Sequence, residues 1–288
     1  MVTTDGGTAV TADNAARARP GHPRVLTIAG SDSGGGAGIQ ADLKTFFALG
    51  SYGMSAITAV TAQNTVGVAD VHVLPPQMVV AQIEAVMSDI GCDAAKTGML
   101  AQAEIVDAVA DSVRRFSIPN LVVDPVMISK SRHQLLSDDA VEAVRDRLLP
   151  LATVVTPNLP EAEVLLGQTL RGPEDMLDAG RRLCAGGCKA AVLKGGHMPG
   201  DADDYLYQAE GDSLTVLPGR RFDTRNTHGT GCTFAAALAA GLARGLSVLD
   251  ATRLAKRFIS LAIESAVPLG AGHGPVNHLA AGKAMESG

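Results

Sequence analysis

Val25-Leu26-Thr27-Ile28-Ala29, Gly30-Ser31-Asp32-Ser33-Gly34-Gly35-Gly36-Ala37-Gly38 and Ile39-Gln40-Ala41-Asp42-Leu43-Lys44-Thr45-Phe46-Phe47 form a β-rich run, a glycine loop and a helix pattern. Ile39, Leu43, Phe46, Phe47 and Leu49 are expected on one side of that helix, and Gly50 sits where helices commonly end. Strand, glycine loop, helix is the general form of an anion- or nucleotide-binding turn. It is not a P-loop, because the lysine of GxxxxGK(S/T) is missing, and Ser31-Asp32-Ser33 after Gly30 breaks the dinucleotide fingerprint. Strand and helix patterns then keep alternating. Met54 to Thr61 reads as a strand leading to Gln63, and Val79, Ile83, Val86 and Ile90 recur at helical spacing. Ala94–Leu100 reads as a strand ending in a loop, Leu121–Met127 as a strand terminated by Asp124 and Pro125, and Thr153–Thr156 and Ala190–Lys194 as further strands, with helices expected around Ile105–Phe116, Val141–Leu148, Glu161–Leu166 and Met176–Leu183. Asp203–Gln208 and Ser213–Leu217 suit a hairpin about Glu210-Gly211-Asp212, and Ala251, Leu254, Phe258, Leu261 and Ile263 mark core positions of a last helix. No internal repeat interrupts the pattern. Such an alternation with uncharged strands implies a mainly parallel sheet covered by helices on both faces.

Composition narrows the function. A chain of 288 residues, 46% hydrophobic and 19% charged, is long enough for a substantial α/β core. Residues 1–23, without hydrophobic periodicity and ending in Pro20-Gly21-His22-Pro23, are expected to be a flexible tail, with one ordered domain over 24–288. A net charge of −6 disfavours nucleic acid or an anionic membrane as partner, and the absence of Trp removes the best base-stacking platform. No apolar run approaches a membrane span or a secretory h-region. The four cysteines, Cys92, Cys184, Cys188 and Cys232, form no CxxC pair, so reduced thiols and a cytoplasmic setting are expected.

Asn226-Thr227-His228-Gly229-Thr230-Gly231-Cys232 opens onto an Ala/Leu helix pattern, Thr233 to Leu238. The first N–H groups of a helix lack intrahelical partners and carry the positive end of its dipole, a ready site for phosphate or developing negative charge. Cys232 falls at that helix start, where its thiol pKa is expected to be lowered. The plainer reading is a glycine-rich turn capping a buried helix, with Cys232 as core filler. Ligands of parallel sheets lie beyond the carboxyl ends of the strands. That rule selects Asp32, Gln63, Lys96, Asp124, Asn158, Glu161, Lys194, His197 and the loop 226–232. Lysines, carboxylates and a helix N-terminus on one rim suit an anionic ligand with a metal. Residue chemistry alone thus reaches an α/β enzyme that handles phosphate.

The sequence also resembles the hydroxymethylpyrimidine/phosphomethylpyrimidine kinases, members of the ribokinase-like superfamily. The resemblance covers residues 24 to about 278. It rests on Ala29–Thr45, Thr61-Ala62-Gln63-Asn64-Thr65, Lys96-Thr97-Gly98-Met99-Leu100, Val123-Asp124-Pro125-Val126-Met127, Thr156-Pro157-Asn158-Leu159-Pro160-Glu161-Ala162, Lys194-Gly195-Gly196-His197 and the 226–232 motif, in that order. It implies a three-layer α/β/α sandwich, phosphorylation of 4-amino-5-hydroxymethyl-2-methylpyrimidine and then of its monophosphate, and ATP with Mg2+ as cofactors. It further implies Gly30, Thr61, Gln63, Met99 and Asp42 at the pyrimidine, with an exposed helix acid as the rival account of Asp42. Cys232 would activate the hydroxyl, with Gly229 and Gly231 stabilising the transferring phosphoryl group. Lys194 and Thr230 would contact ATP, and Asn158, Glu161 and Asp124 would serve the metal, a simple helix-start acid being the rival for Glu161. Relatives imply a homodimer. The Gly-Asp that usually precedes the Leu-Leu pair is replaced here by Arg132-His133-Gln134 before Leu135-Leu136. His197 and His228 are expected to shape loops. Pyridoxal kinase on the same scaffold, or a non-catalytic pyrimidine-binding regulator, are the alternatives.

Overall fold

The computed structural model describes residues 21–127, 136–198 and 200–287. The tail expected over 1–23 and the Arg132-His133-Gln134 segment fall largely or wholly outside them. In chain order the strands are β1 Arg24–Ala29, β2 Tyr52–Ile57, β3 Ala59–Gln63, β4 Val68–Val73, β5 Ala94–Thr97, β6 Leu121–Val123, β7 Val154–Val155, β8 Ala190–Lys194, β9 Asp204–Gln208 and β10 Ser213–Leu217. The α-helices are α1 Gly38–Ala48, α2 Pro76–Asp89, α3 Ala103–Arg115, α4 Asp138–Ala143, α5 Leu159–Leu166, α6 Met176–Cys184, α7 Thr230–Ala243, α8 Val248–Glu264 and α9 His278–Glu286.

An eight-stranded sheet runs in the order β10-β9-β8-β7-β6-β5-β1-β2. From β8 to β2 every neighbouring pair is parallel, and β9 and β10 add an antiparallel edge. Side chains alternate along a strand, so each strand feeds two cores. Leu26, Ile28, Leu121, Val123, Val155, Ala191 and Leu193 pack with Val79, Ile83, Ile105, Val109, Leu165 and Leu183 from α2, α3, α5 and α6. Val25, Ala94, Val122, Val154, Ala190 and Val192 pack on the other face with Phe46, Phe234, Leu238 and Phe258 from α1, α7 and α8. The result is the expected α/β/α sandwich. Residues Thr233 to Leu242 of α7 are all buried; its small side chains let it lie between the sheet and α8.

Two local expectations are corrected. The strand from Met54 to Thr61 is two strands. β2 lies in the main sheet, Thr58 donates its N–H to the Ala29 carbonyl (3.0 Å), and β3 then leaves to pair antiparallel with β4. The residue pattern is alike on both sides of Thr58, so pairing rather than periodicity decides the break. The strand in Leu121–Met127 ends at Val123, as expected from the acid and proline that follow, and Val126 turns back to donate to the Asp124 carbonyl at 2.8 Å. Phe47 is 84% exposed although Phe46 is fully buried. Successive helix residues are about 100° apart, so only one of the pair can face the sheet.

Candidate active site

The carboxyl ends of β1, β5, β6 and β8, with the N-terminus of α7, enclose a cavity of about 550 Å³. Gly30, Thr61, Gln63, Met99, Asp124, Asn158, Glu161, Lys194, Gly229, Thr230, Gly231 and Cys232 all line it, joined by Asp32, Lys96 and His228. Residues spread over two hundred positions of chain are gathered because every parallel strand points its carboxyl end the same way.

Two sets of contacts divide the wall. In the first, Lys194 lies 3.1 Å from Asp124 Oδ1, which also accepts from the Thr156 hydroxyl at 3.2 Å. Asp124 Oδ2 is buried without a hydrogen-bond partner. Burial alone would depress the Lys194 ammonium, but Asp124 and Glu161 outweigh it and raise its pKa. Asn158 and Glu161 form a capping box at the start of α5: Asn158 Oδ1 accepts from the Glu161 N–H (2.9 Å), and Glu161 Oε2 accepts from the Asn158 N–H (2.8 Å). Burial pushes the Glu161 carboxyl up to about 7, against the pull of Lys194 and with the help of Asp124. A Cβ added at Gly231 would stand 3.4 Å from Lys194 Nζ and 3.7 Å from Asp124 Oδ2, so this glycine keeps the space between lysine, carboxylate and helix start open. Gly229, at φ +80°, caps α7 with no side-chain cap, and the Gly231 and Cys232 amides find no backbone partner among the described residues. A Cβ on Gly229 would lie 1.8 Å from the Gly36 carbonyl oxygen, which locks the two glycine loops together.

In the second set, Asp32 orders the first loop. Its oxygens accept from the amides of Gly34 (2.8 Å), Gly36 (3.0 Å) and Ala37 (2.8 Å), and His228 Nε2 lies 2.8 Å from Oδ2. Burial raises the Asp32 carboxyl, but His228 and these amides win and hold it below the ordinary carboxylate range. Gln63 lies 3.4 Å from His228 and 3.4 Å from Thr61. Composition and spacing carried no signal for this Asp32–His228 link, since the two residues are 196 positions apart. The side chain of His197 lies outside the described residues.

Two readings of individual residues change. Asp42 does not line the cavity and is not exposed. It is fully buried beneath it, 2.9 Å from Lys96 Nζ and 2.6 Å from the Thr27 hydroxyl. Three residues after Ile39, it faces the sheet, where a carboxylate requires a counter-charge, and β5 supplies Lys96. Desolvation is the largest single influence on Lys96 and lowers its pKa, but Asp42, Cys232 and Asp124 together outweigh it and raise the ammonium pKa, so the lysine stays charged. The thiol of Cys232 is not lowered but pushed up to about 11. Burial dominates; Asp42 and Asp124 add to it, and Lys96 with the Gly38 amide opposes it. Desolvation of a thiolate thus outweighs the helix start.

The Lys194 end of the cavity suits a magnesium ion. The orphaned Asp124 Oδ2 and the adjacent Glu161 are hard oxygen donors of the right kind. Among the described residues no group of three His, Cys, Asp or Glu could hold a metal by protein ligands alone. That fits an ion that keeps waters and takes its remaining ligands from phosphate.

The class follows from the shape. Bacillus subtilis pyridoxal kinase, solved as an ADP complex, matches with a TM-score of 0.83 at 41% identity, over 90% of this chain and 98% of that one. Phosphomethylpyrimidine kinase from Clostridium difficile matches with a TM-score of 0.75 at 44% identity, over 84% and 99%. The fold is ribokinase-like, and the protein is an ATP-dependent phosphotransferase.

Within that class the chain belongs to the phosphomethylpyrimidine kinase family, which it matches over residues 32–277. It is 52% identical to hydroxymethylpyrimidine/phosphomethylpyrimidine kinase of Streptomyces coelicolor across 89% of this chain and 94% of the relative. It is equally similar, at 52%, to the thiamine biosynthesis bifunctional protein of Geobacter sulfurreducens, but spans only 52% of that longer protein.

Proposed function

We propose that the protein phosphorylates the hydroxymethyl group of 4-amino-5-hydroxymethyl-2-methylpyrimidine, and then the resulting monophosphate, with ATP as donor, in thiamine biosynthesis. One observation carries the reading: the Cys232 side chain, at the amide-rich start of α7, shares a single cavity with Gln63 and Lys194. Gln63 offers a donor and an acceptor to an aminopyrimidine edge, with Gly30, Thr61 and Met99 around it. The substrate hydroxyl attacks the terminal phosphoryl group of ATP, its proton passes to the Cys232 sulfur, and ADP leaves. The free amides of Gly231 and Cys232 and the Lys194 ammonium face the charge that moves from nucleophile to leaving oxygen. Thr230, which lines the same cavity, would contact the nucleotide. Asp124 and Glu161 would hold Mg2+, which neutralises phosphate charge when bound. Positioning supplies the rest of the acceleration.

The same reading takes residues 24–288 as one catalytic domain, a homodimer in solution and a cytoplasmic setting. The four free cysteines support the last point. Pyridoxal phosphorylation is the second reading, favoured by the pyridoxal kinase likeness in shape. A coupled assay of ADP release with the aminopyrimidine alcohol, its monophosphate and pyridoxal decides between them. Turnover on both pyrimidines, lost on adding EDTA and restored by Mg2+, is the expected result. Turnover on pyridoxal alone would transfer the protein to the second reading, and ligand binding without ADP release would make it a regulator.

A further inference from the structure

Gln63 holds the polarity of the pyrimidine edge, and its own polarity is set by its neighbours. The Thr61 hydroxyl has one proton and donates it to the Ser31 carbonyl at 2.9 Å. His228 Nε2 stands 2.8 Å from Asp32 Oδ2, whose carboxylate already accepts three backbone amides. An ionised carboxylate only accepts, so Nε2 carries a proton and directs it there. Both protons are therefore committed to the shorter of two contacts. What remains toward Gln63 is a lone pair on Thr61 Oγ1 and, at 3.4 Å, the flank of an N–H on His228. With Oε1 toward Thr61 and Nε2 toward His228, both contacts set like against like. Turning the amide end for end exchanges only oxygen and nitrogen and makes both favourable: the amide N–H meets Thr61 Oγ1, and the carbonyl meets the His228 N–H. Thr61 is 5% exposed, Asp32 1% and His228 9%, so water offers little alternative to these partners.

We infer that Asp32, His228 and Thr61 are positioning residues that lock the Gln63 amide with its NH2 on the Thr61 side and its carbonyl on the His228 side. The inference rests on the pyrimidine reading above and adds the orientation of the substrate. The free N–H of Gln63 then meets the ring nitrogen on the Thr61 side, and the carbonyl meets the exocyclic amine on the His228 side. An acceptor beside a donor, in that order, is what the cavity selects.

The test compares the natural alcohol with its analogue lacking the 4-amino group. The wild-type enzyme is expected to favour the amino compound in kcat/KM by about tenfold, the worth of one or two hydrogen bonds to a desolvated group. His228→Phe, which keeps bulk but has no donor, should shrink that ratio to about twofold or less, the amino compound's kcat/KM falling further than that of its analogue. Thr61→Val should do the same and Thr61→Ser should restore the preference. Equal losses on both alcohols, or an unchanged ratio in both folded variants, would overturn the inference. Absence of wild-type turnover on the amino alcohol would instead sink the pyrimidine reading. A readout independent of any variant's folding is the Gln63 side-chain NH2 resonance of the wild-type protein. Nuclear Overhauser contacts to the Thr61 methyl are expected, and contacts to His228 Hε1 in their place would refute the lock.

Discussion

Cys232, the base proposed above, lies in surroundings that oppose its ionisation. With the thiol at about 11, the thiolate is a minor form near neutrality and grows tenfold per pH unit. Turnover with saturating ATP is therefore expected to climb from pH 7 to 9 in the wild-type enzyme. Cys232→Asp, whose carboxylate is already ionised there, should flatten the climb; parallel profiles would remove Cys232 from the proton transfer. Cys232→Ala should lose most turnover while calorimetry still detects the pyrimidine. Glu161 gives a second pH signal, in stability. Its folded-state carboxyl, at about 7, holds a proton more tightly than the ordinary 4.5, so its contribution is present below 4.5 and is lost as pH rises through 7. Glu161→Gln keeps the capping box without a charge to bury. Urea titrations in EDTA should show this variant gaining on the wild type between pH 5 and 8, by at most about 3 kcal/mol. A difference that does not change with pH would contradict the assigned shift.

Elements are placed here by close approach as much as by propensity. Gly180 lies within α6, where alanine would normally strengthen a helix by about 1 kcal/mol. A Cβ there would stand 2.3 Å from Tyr207 Cβ and 2.5 Å from Cγ on β9, the root of a ring with no room to swing away. Gly180→Ala is therefore expected to lower the melting temperature, against helix propensity; a rise would show that the α6–β9 contact yields easily. At the start of α5 the sign is the conventional one. Asn158→Ala removes the acceptor for the Glu161 N–H and should cost about 1 kcal/mol in chemical denaturation. It should also loosen the junction with β8, since Lys194 donates its N–H to the neighbouring Pro157 carbonyl at 2.9 Å.

Across the molecule, the ion pair between α1 and β5 ties one helical layer to the middle of the sheet. Both side chains are fully buried. Lys96→Met leaves the Asp42 charge unpaired and is expected to cost about 3–5 kcal/mol. Lys96→Met with Asp42→Asn removes both charges and should recover most of that stability; at Cys232 the loss of Lys96, the larger influence, is only partly offset by the loss of Asp42, so turnover is expected to stay below the wild type. Recovery of turnover along with stability would confine Lys96 to a structural role.

The succession of short apolar strands and amphipathic helices announced the parallel sheet, because period 2 and period 3.6 are written into the order of residues. Strand ends likewise point to Asp32, Gln63, Lys96, Asp124, Asn158, Glu161, Lys194, His197 and the 226–232 loop; of these, all but His197, Asn226 and Thr227 line one cavity among the described residues. Asp42, which the resemblance sets at the pyrimidine and whose rival account is an exposed helix acid, is instead buried against Lys96, a partner 54 positions away that no local stretch of chain reveals. Cys232 was given the wrong direction of shift because a helix start is visible in one stretch of chain, whereas desolvation depends on everything packed around it. The break at Thr58 escaped for the same reason: strand partners are chosen across space. Local chain order therefore settled the architecture and which residues could carry the chemistry. Their charge states, the Asp42–Lys96 and Asp32–His228 pairs, and the polarity of Gln63 exist only once distant segments exclude water from one another.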